Sequence, residues 1–272
     1  MSLTTTIKLS NGVDIPQLGL GVYKVNSGEE VYQTVQSALD IGYRHIDTAS
    51  FYGNEAGVGQ AVNDSGIKRD ELFITTKIWN DEHGYEKAID AFHRSLEQLG
   101  MEYVDLYLIH WPVPGRFKET WKAMEKLYKE GRVRAIGVSN FLEHHLDDLL
   151  DVAEIFPMVN QVEFHPQLYL KDLHRYCSDR NIQLEAWSPL ARARYLDHPV
   201  LKKIGEKYGK STAQIILRWD LQHGIVTIPK STHTGRQQEN ADIFNFTLSE
   251  QEMRLINKLN RNRRVGSDPD QL

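Results

Sequence analysis

Gly42-Tyr-Arg-His-Ile-Asp-Thr-Ala-Ser-Phe-Tyr-Gly-Asn-Glu-Ala-Gly-Val-Gly59 reads as a short strand, Tyr43 to Ile46, that ends in Asp47. A loop carrying Tyr52 follows, then a helix opening near Asn54. A carboxylate at a strand end with a phenol in the next loop is an arrangement able to hand over a proton. Two later stretches have a similar shape: Phe73-Ile-Thr-Thr-Lys77 and Leu106-Tyr-Leu-Ile-His110 are apolar or β-branched runs that end in a titratable side chain. If the three strands lie parallel and adjacent, Asp47, Tyr52, Lys77 and His110 meet at one mouth.

Working outward, Thr4 to Leu9 and Val13 to Ile15 alternate around Asn11-Gly12, which predicts a two-residue hairpin. Gln17-Leu-Gly-Leu-Gly-Val-Tyr23 follows as a strand. Its two glycines lack the third glycine and the helix of a dinucleotide fingerprint, so they read as places of close backbone approach. From there strand, loop and helix recur. Helices over Gly28–Ile41, Asn54–Ser65, Gly84–Gly100, Glu119–Glu130, Glu143–Ile155 and Lys171–Arg180 alternate with strands at Tyr43–Asp47, Leu72–Lys77, Tyr103–His110, Val133–Ser139, Met158–Glu163 and Gln183–Trp187. Helices at Pro199–Tyr208 and Ser211–His223, strand Ile225–Pro229 and a helix near Arg236–Ile243 complete the series. A last helix starts at Ser249. Ser211 with Gln214, and Ser249 with Glu252, have capping-box spacing.

Eight strands alternating with helices predict a parallel sheet with right-handed crossovers, closed into an α/β fold of the (β/α)8 TIM barrel type. The hairpin is expected to cap the bottom and the last helix is extra. No linker composition interrupts residues 1–272, which reads as a single domain. An open doubly wound sheet is the competing fold, but it wants a phosphate fingerprint after its first strand. A net charge of −5 offers no basic face for phosphates, so nucleic acid is not an expected partner. The short run Arg261-Asn-Arg-Arg264 does not alter this. Nor does any apolar run approach the ~20 residues of a membrane span. The first residues lack a secretory pattern, and Cys177, the one cysteine, excludes an internal disulfide. A reducing, cytoplasmic setting is expected, with Cys177 a buried and inert thiol.

The C-terminal ends of barrel strands share one rim, where active sites sit. There a Lys77 cation beside Tyr52 favours the phenolate and is expected to lower a pKa near 10. Asp47 neutralises and orients the lysine, while His110 polarises a carbonyl whose oxygen Tyr52 protonates. Each residue also has a plain reading: helix cap, half-buried aromatic, buried stem or core histidine. Convergence at three neighbouring strand ends favours chemistry. Neither a spaced metal-ligand cluster nor a nucleophile elbow appears, and no metal is expected. Hydride from a bound nicotinamide suits the attack on carbon.

Over its whole length the sequence resembles the aldo-keto reductases, and among them the small bacterial glyoxal, methylglyoxal and diketo-gluconate reductases. The segments that carry this are Gly42 to Ala49, Asn54 to Gly59, Tyr107-Leu-Ile-His-Trp-Pro112, Arg134-Ala-Ile-Gly-Val-Ser-Asn-Phe141, Val159-Asn-Gln-Val-Glu163 and Ile228-Pro-Lys-Ser231. The resemblance implies NADPH as cofactor and Tyr52 as the acid, assisted by Lys77, Asp47 and His110. It also implies that Ser139, Asn140 and Gln161 hold the nicotinamide carboxamide and that Trp187 stacks on its ring. Asp47, Gly21 and Tyr23 would touch the cofactor, and Ser188, Pro189 and Leu190 would run along the pyrophosphate. Lys230, Ser231 and Arg236 would take the 2′-phosphate, with Glu239 and Asn240 at the adenine edge.

The sequence departs from the pattern at two places. Ala191-Arg-Ala-Arg-Tyr195 stands where the family is glycine-rich, which raises a pyrophosphate contact from Arg192 or Arg194. Arg236 is preceded by Gly235 and followed by Gln237 where a more apolar helix start is expected. Tyr23, Trp79, His110 and Trp111 are expected to line an open, permissive substrate pocket, since the tail after Val265-Gly266 is short. Expected partners are a small carbonyl substrate and no macromolecule, with the protein a monomer. A non-catalytic NADPH-binding sensor or scaffold barrel is the alternative function.

Overall fold

The structure, a computed structural model, describes residues 2–271. An antiparallel hairpin, β1 (Thr6–Lys8) and β2 (Asp14–Pro16), pairs Ile7 with Ile15. Its turn is longer than Asn11-Gly12 alone. Leu9 N–H donates to Val13 O and Gly12 N–H to Leu9 O, so Ser10, Asn11 and Gly12 form the loop, with Gly12 at φ 87°. This is a three-residue turn, in which glycine takes the left-handed position.

Eight parallel strands follow: β3 (Leu20–Gly21), β4 (His45–Asp47), β5 (Phe73–Ile78), β6 (Val104–Ile109), β7 (Val133–Ser139), β8 (Val159–Glu163), β9 (Gln183–Trp187) and β10 (Val226–Thr227), each bonded to the next. A parallel bridge between Leu18 and Thr227 closes the ring. The two glycines serve that closure. A Cβ on Gly19 would lie 2.9 Å from Ile228 Cγ2 and 2.7 Å from His45 Nδ1, and one on Gly21 3.0 Å from Ile228 O. The hairpin covers the end where strands begin, since Asn11 Nδ2 donates to Arg134 O.

The helices in chain order are α1 (Glu29–Ile41), α2 (Glu55–Asp64), α3 (Tyr85–Leu99), α4 (Phe117–Lys129), α5 (Glu143–Leu150), α6 (Lys171–Ser178), α7 (Pro199–Tyr208), α8 (Thr212–Gln222), α9 (Thr234–Ala241) and α10 (Glu250–Asn257). Both capping boxes form, at Ser211–Gln214 and Ser249–Glu252. Helix α5 stops five residues before the expected Ile155. Glu125 Oε1 accepts the backbone N–H of Glu154 and Ile155, each at 2.8 Å, and this side-chain capture supplies what another helical turn would have supplied. The strands are buried on both faces, as a parallel barrel demands. Cys177 is fully buried, which pushes its thiol up to about 12 and leaves it inert.

Candidate active site

Asp47 ends β4, Lys77 lies near the end of β5, and His110 follows β6, so the barrel brings all three to one rim. Tyr52 arrives on a short 3-10 turn, Ser50–Tyr52. Asn54 fixes that loop by donating to Val22 O and Val25 O and accepting from Thr48 Oγ1. The quartet predicted from sequence therefore converges.

Its hub is the Lys77 ammonium. Nζ donates to Asp47 Oδ1 at 2.6 Å, to Thr48 O at 2.9 Å and to Tyr52 Oη at 3.4 Å, so three donors meet three acceptors. Lys77 is 0% and Asp47 2% exposed. Burial alone pulls the lysine pKa down, but Asp47 and Tyr52 outweigh it and the net direction is up. The cation persists. Burial raises the carboxyl of Asp47, while Lys77 and a 2.7 Å bond from Gln161 Nε2 pull back.

The expected lowering of Tyr52 is corrected here. Burial pushes the phenol up to about 12, and Lys77, although it acts downward, does not cancel that. His110 is held well below the usual imidazole range by burial first and then by Lys77 and His83. It is a neutral ring, edge-on to Tyr52 at 5.7 Å between centroids, with Nδ1 unpartnered.

Around the quartet lie aromatics. Tyr23 packs on Tyr52 at 5.0 Å, and Trp79 meets His110 at 5.0 Å. Trp79 also stacks on Phe51 at 3.7 Å, a residue the sequence reading missed although it adjoins Tyr52. Trp111, half-buried, makes no ring contact with this group among the described residues.

The second predicted cluster also assembles. Asn140 Nδ2 donates to His110 O at 3.0 Å and Ser139 Oγ at 3.1 Å, while Trp187 Nε1 donates to Asn140 Oδ1 at 2.8 Å. Gln161 spends both N–H groups on carboxyls, Asp47 and Glu185, which leaves its carbonyl oxygen as the only group it can offer a ligand. Ser188 and Ala191-Arg192-Ala193 all have positive φ, 45–64°, the left-handed backbone that glycine adopts without strain. The guanidinium groups of Arg192 and Arg194 make no hydrogen bond or ion pair among the described residues.

Lys230 and Arg236 are exposed, and neither forms an ion pair among the described residues. They flank Ser231 and the first turn of α9, where free N–H groups and the helix dipole favour an anion. Gln237, expected to be apolar, is buried. Its Nε2 donates to Thr34 O and Ser231 O, its backbone carbonyl accepts from Tyr43 Oη, and Ser37 Oγ donates to its Oε1. A polar residue fits because every bond is met.

Glu163, also missed, ends β8 and clamps the tail. It accepts Val265 N–H at 2.5 Å, Gly266 N–H at 3.0 Å and His165 Nε2 at 2.9 Å. Gly266 lies so close to Trp187 that a Cβ would come within 2.4 Å of the ring. Farther along, His144, His145 and Asp270 bring ligand atoms within 4.8 Å of one another. Leu142 N–H donates to His145 Nδ1, which leaves the ring proton on Nε2 facing Asp270 Oδ1 at 3.4 Å. A nitrogen in that state donates rather than ligates, so the trio is a tie for the tail. A groove of about 720 Å³ between α5 and α6, lined by Leu142, His144, Tyr169 and Asn260 among others, holds none of the quartet.

The half-exposed Trp187 ring, a Ser–Asn–Gln set and two unpaired cations at a helix start form a donor set suited to a phosphorylated dinucleotide. Comparison with known proteins agrees in kind. The aldo/keto reductase family profile matches residues 17–261. The sequence is 58% identical over 271 residues to a glyoxal reductase of Bacillus subtilis, spanning 100% of this chain and 98% of that protein. It is 46% identical to the methylglyoxal reductase DkgA of Escherichia coli, over 100% and 99% of the two chains. Among solved structures, an aldo-keto reductase of Bombyx mori in complex with NADP superposes with a TM-score of 0.92 at 36% identity, over 99% and 97% of the chains.

Proposed function

The chain belongs to the aldo/keto reductase family, and from that premise we propose that it reduces glyoxals, other small aldehydes and ketones to alcohols, with NADPH as cofactor and Tyr52 as acid. The Lys77 ammonium, shared between Asp47 and Tyr52 Oη, carries this reading. It places a fixed cation beside the phenol that must become a phenolate.

When bound, the nicotinamide supplies hydride to the carbonyl carbon. The chain's part is positioning and the proton. Neutral His110 orients the carbonyl, Tyr52 Oη gives its proton to the developing alkoxide, and Lys77 stabilises the phenolate that remains until water restores it. Ser139 and Asn140 border the carboxamide and reach its oxygen by redirecting a donor now spent on Gln161 O, His110 O or Ser139 Oγ. Gln161 Oε1 accepts from the amide, and Trp187 offers its ring face. Ser188, Pro189 and Leu190 carry the adjoining loop. Gly21 and Tyr23 border the same mouth. Lys230, Ser231 and Arg236 take the 2′-phosphate by charge-assisted bonds, with Glu239 and Asn240 nearest the adenine. Tyr23, Trp79 and Phe51 give the substrate an apolar wall. In this reading the protein acts alone, as a single-domain cytoplasmic monomer; among the described residues no helix is long and apolar enough to cross a membrane.

Purified protein mixed with NADPH and methylglyoxal is expected to consume the nicotinamide absorbance. Binding of NADPH with no oxidation by any aldehyde would instead support the sensor alternative. Because His110 is held neutral, with its pKa depressed, its protonation is confined to acid pH. The profile of kcat/KM should therefore show no inflection near pH 6.5, and a histidine limb there contradicts the assignment. The Arg192→Ala/Arg194→Ala double variant is expected to weaken NADPH binding about 3- to 10-fold if either guanidinium meets the pyrophosphate. Unchanged affinity excludes that contact.

A further inference from the structure

We propose that Glu185, as a neutral carboxylic acid inside the barrel, is a positioning residue that preserves the action of Lys77 on Tyr52. This rests on the reductase reading above and adds a residue to it.

Glu185 lies in β9 with no exposed surface. Its Oε2 accepts from Gln161 Nε2 at 3.0 Å, and the same amide donates to Asp47 Oδ2 at 2.7 Å. One side-chain amide thus joins two buried carboxyls across the bore. Glu185 Oε1 has no hydrogen bond; His45 Nε2 stands 3.5 Å away.

The groups facing Glu185 settle the charge. From β4 come Asp47 and His45, from β5 Lys77, and from β8 Gln161; β10 offers only Val226 and Thr227, which do not ionise in this range. Burial holds His45 neutral, with a pKa of about 3, so Lys77 is the one cation present. Two ionised carboxyls would share it in a medium without water, and one of them keeps a proton instead. Asp47 touches the ammonium directly, so the proton falls to Glu185, whose pKa burial and then the Asp47 charge push up to about 8. A proton on Oε1 also gives that oxygen a donor to turn toward His45.

Ionisation of Glu185 adds a second buried anion facing Lys77. The cation's pull on Tyr52 is then offset, the phenol becomes a weaker acid, and proton delivery slows. The raised pKa places this loss in the direction of rising pH, through about 8.

The test is kcat for NADPH-dependent methylglyoxal reduction between pH 6 and 9, in the wild type and in Glu185→Gln. In the wild type, kcat is expected to fall about tenfold from pH 6 to pH 9, as one proton is lost. Within Glu185→Gln the ratio between those pH values should shrink to about twofold or less. The same limb in both proteins, or none in the wild type, overturns the proposal while leaving the reductase reading intact. Absence of turnover at every pH overturns both. Should the variant not fold, NMR titration of the wild type labelled with ¹³C-glutamate decides: a glutamate carboxyl titrating near pH 8 supports the proposal, and no glutamate titrating above pH 7 refutes it.

Discussion

Tyr52→Phe is expected to lower kcat about 10²–10⁴-fold, the usual contribution of a general acid, while NADPH still binds. The variant deletes one oxygen and keeps the ring that packs on Tyr23 at 5.0 Å and against His110 at 5.7 Å. The groups assigned to the carboxamide and phosphates are untouched. With no other proton donor on Lys77 Nζ, whose remaining contacts are a carboxylate and a carbonyl, nothing replaces the phenol. Fluorescence titration with NADPH and steady-state kinetics separate the two effects. Turnover equal to that of the wild type would remove Tyr52 from the mechanism.

Lys77→Met should damage both activity and stability. It leaves Asp47, 2% exposed, without its cation, at a cost of about 3–5 kcal/mol for an unpaired buried charge. Asp47 can escape part of that cost by taking up a proton. Its folded pKa then rises further above the unfolded value, so the relief is complete in acid and is lost as pH rises through the folded pKa. The deficit in Tm relative to the wild type should therefore be larger at pH 8 than at pH 5. A pH-independent deficit, or none, shows that Gln161 and solvent already suffice for the carboxylate. Activity falls as well, because burial then acts on the Tyr52 phenol unopposed.

Alternation of strand and helix made the barrel legible, and the titratable side chains that end three adjacent strands pointed to its mouth. Strand lengths were less visible: β3 and β10 are two residues each, because closure depends on the bridge from Leu18 to Thr227 and on the close approach of Gly19 and Gly21. Chemical type was readable where burial was not. The sequence shows a lysine beside Tyr52 but says nothing of how far water is excluded, and exclusion decides the phenol's direction.

The missed acids have a different origin. Glu163 and Glu185 stand two residues from Gln161 and Trp187 on their strands, which in a strand means the same face. Stepping by two from each recognised strand-end residue would have reached them, as it reaches His45 from Asp47. What no single strand reveals is which partner lies across the bore, and the Gln161 amide that joins Asp47 to Glu185 depends on that.

The central claim is that this mouth moves a hydride to a carbonyl carbon and a proton to its oxygen. Reduction of methylglyoxal with NADPH deuterated at nicotinamide C4 tests it most directly. Deuterium on the new carbinol carbon, with turnover lost in Tyr52→Phe, is the expected result; NADPH left unoxidised, or product carbon carrying only solvent hydrogen, contradicts it.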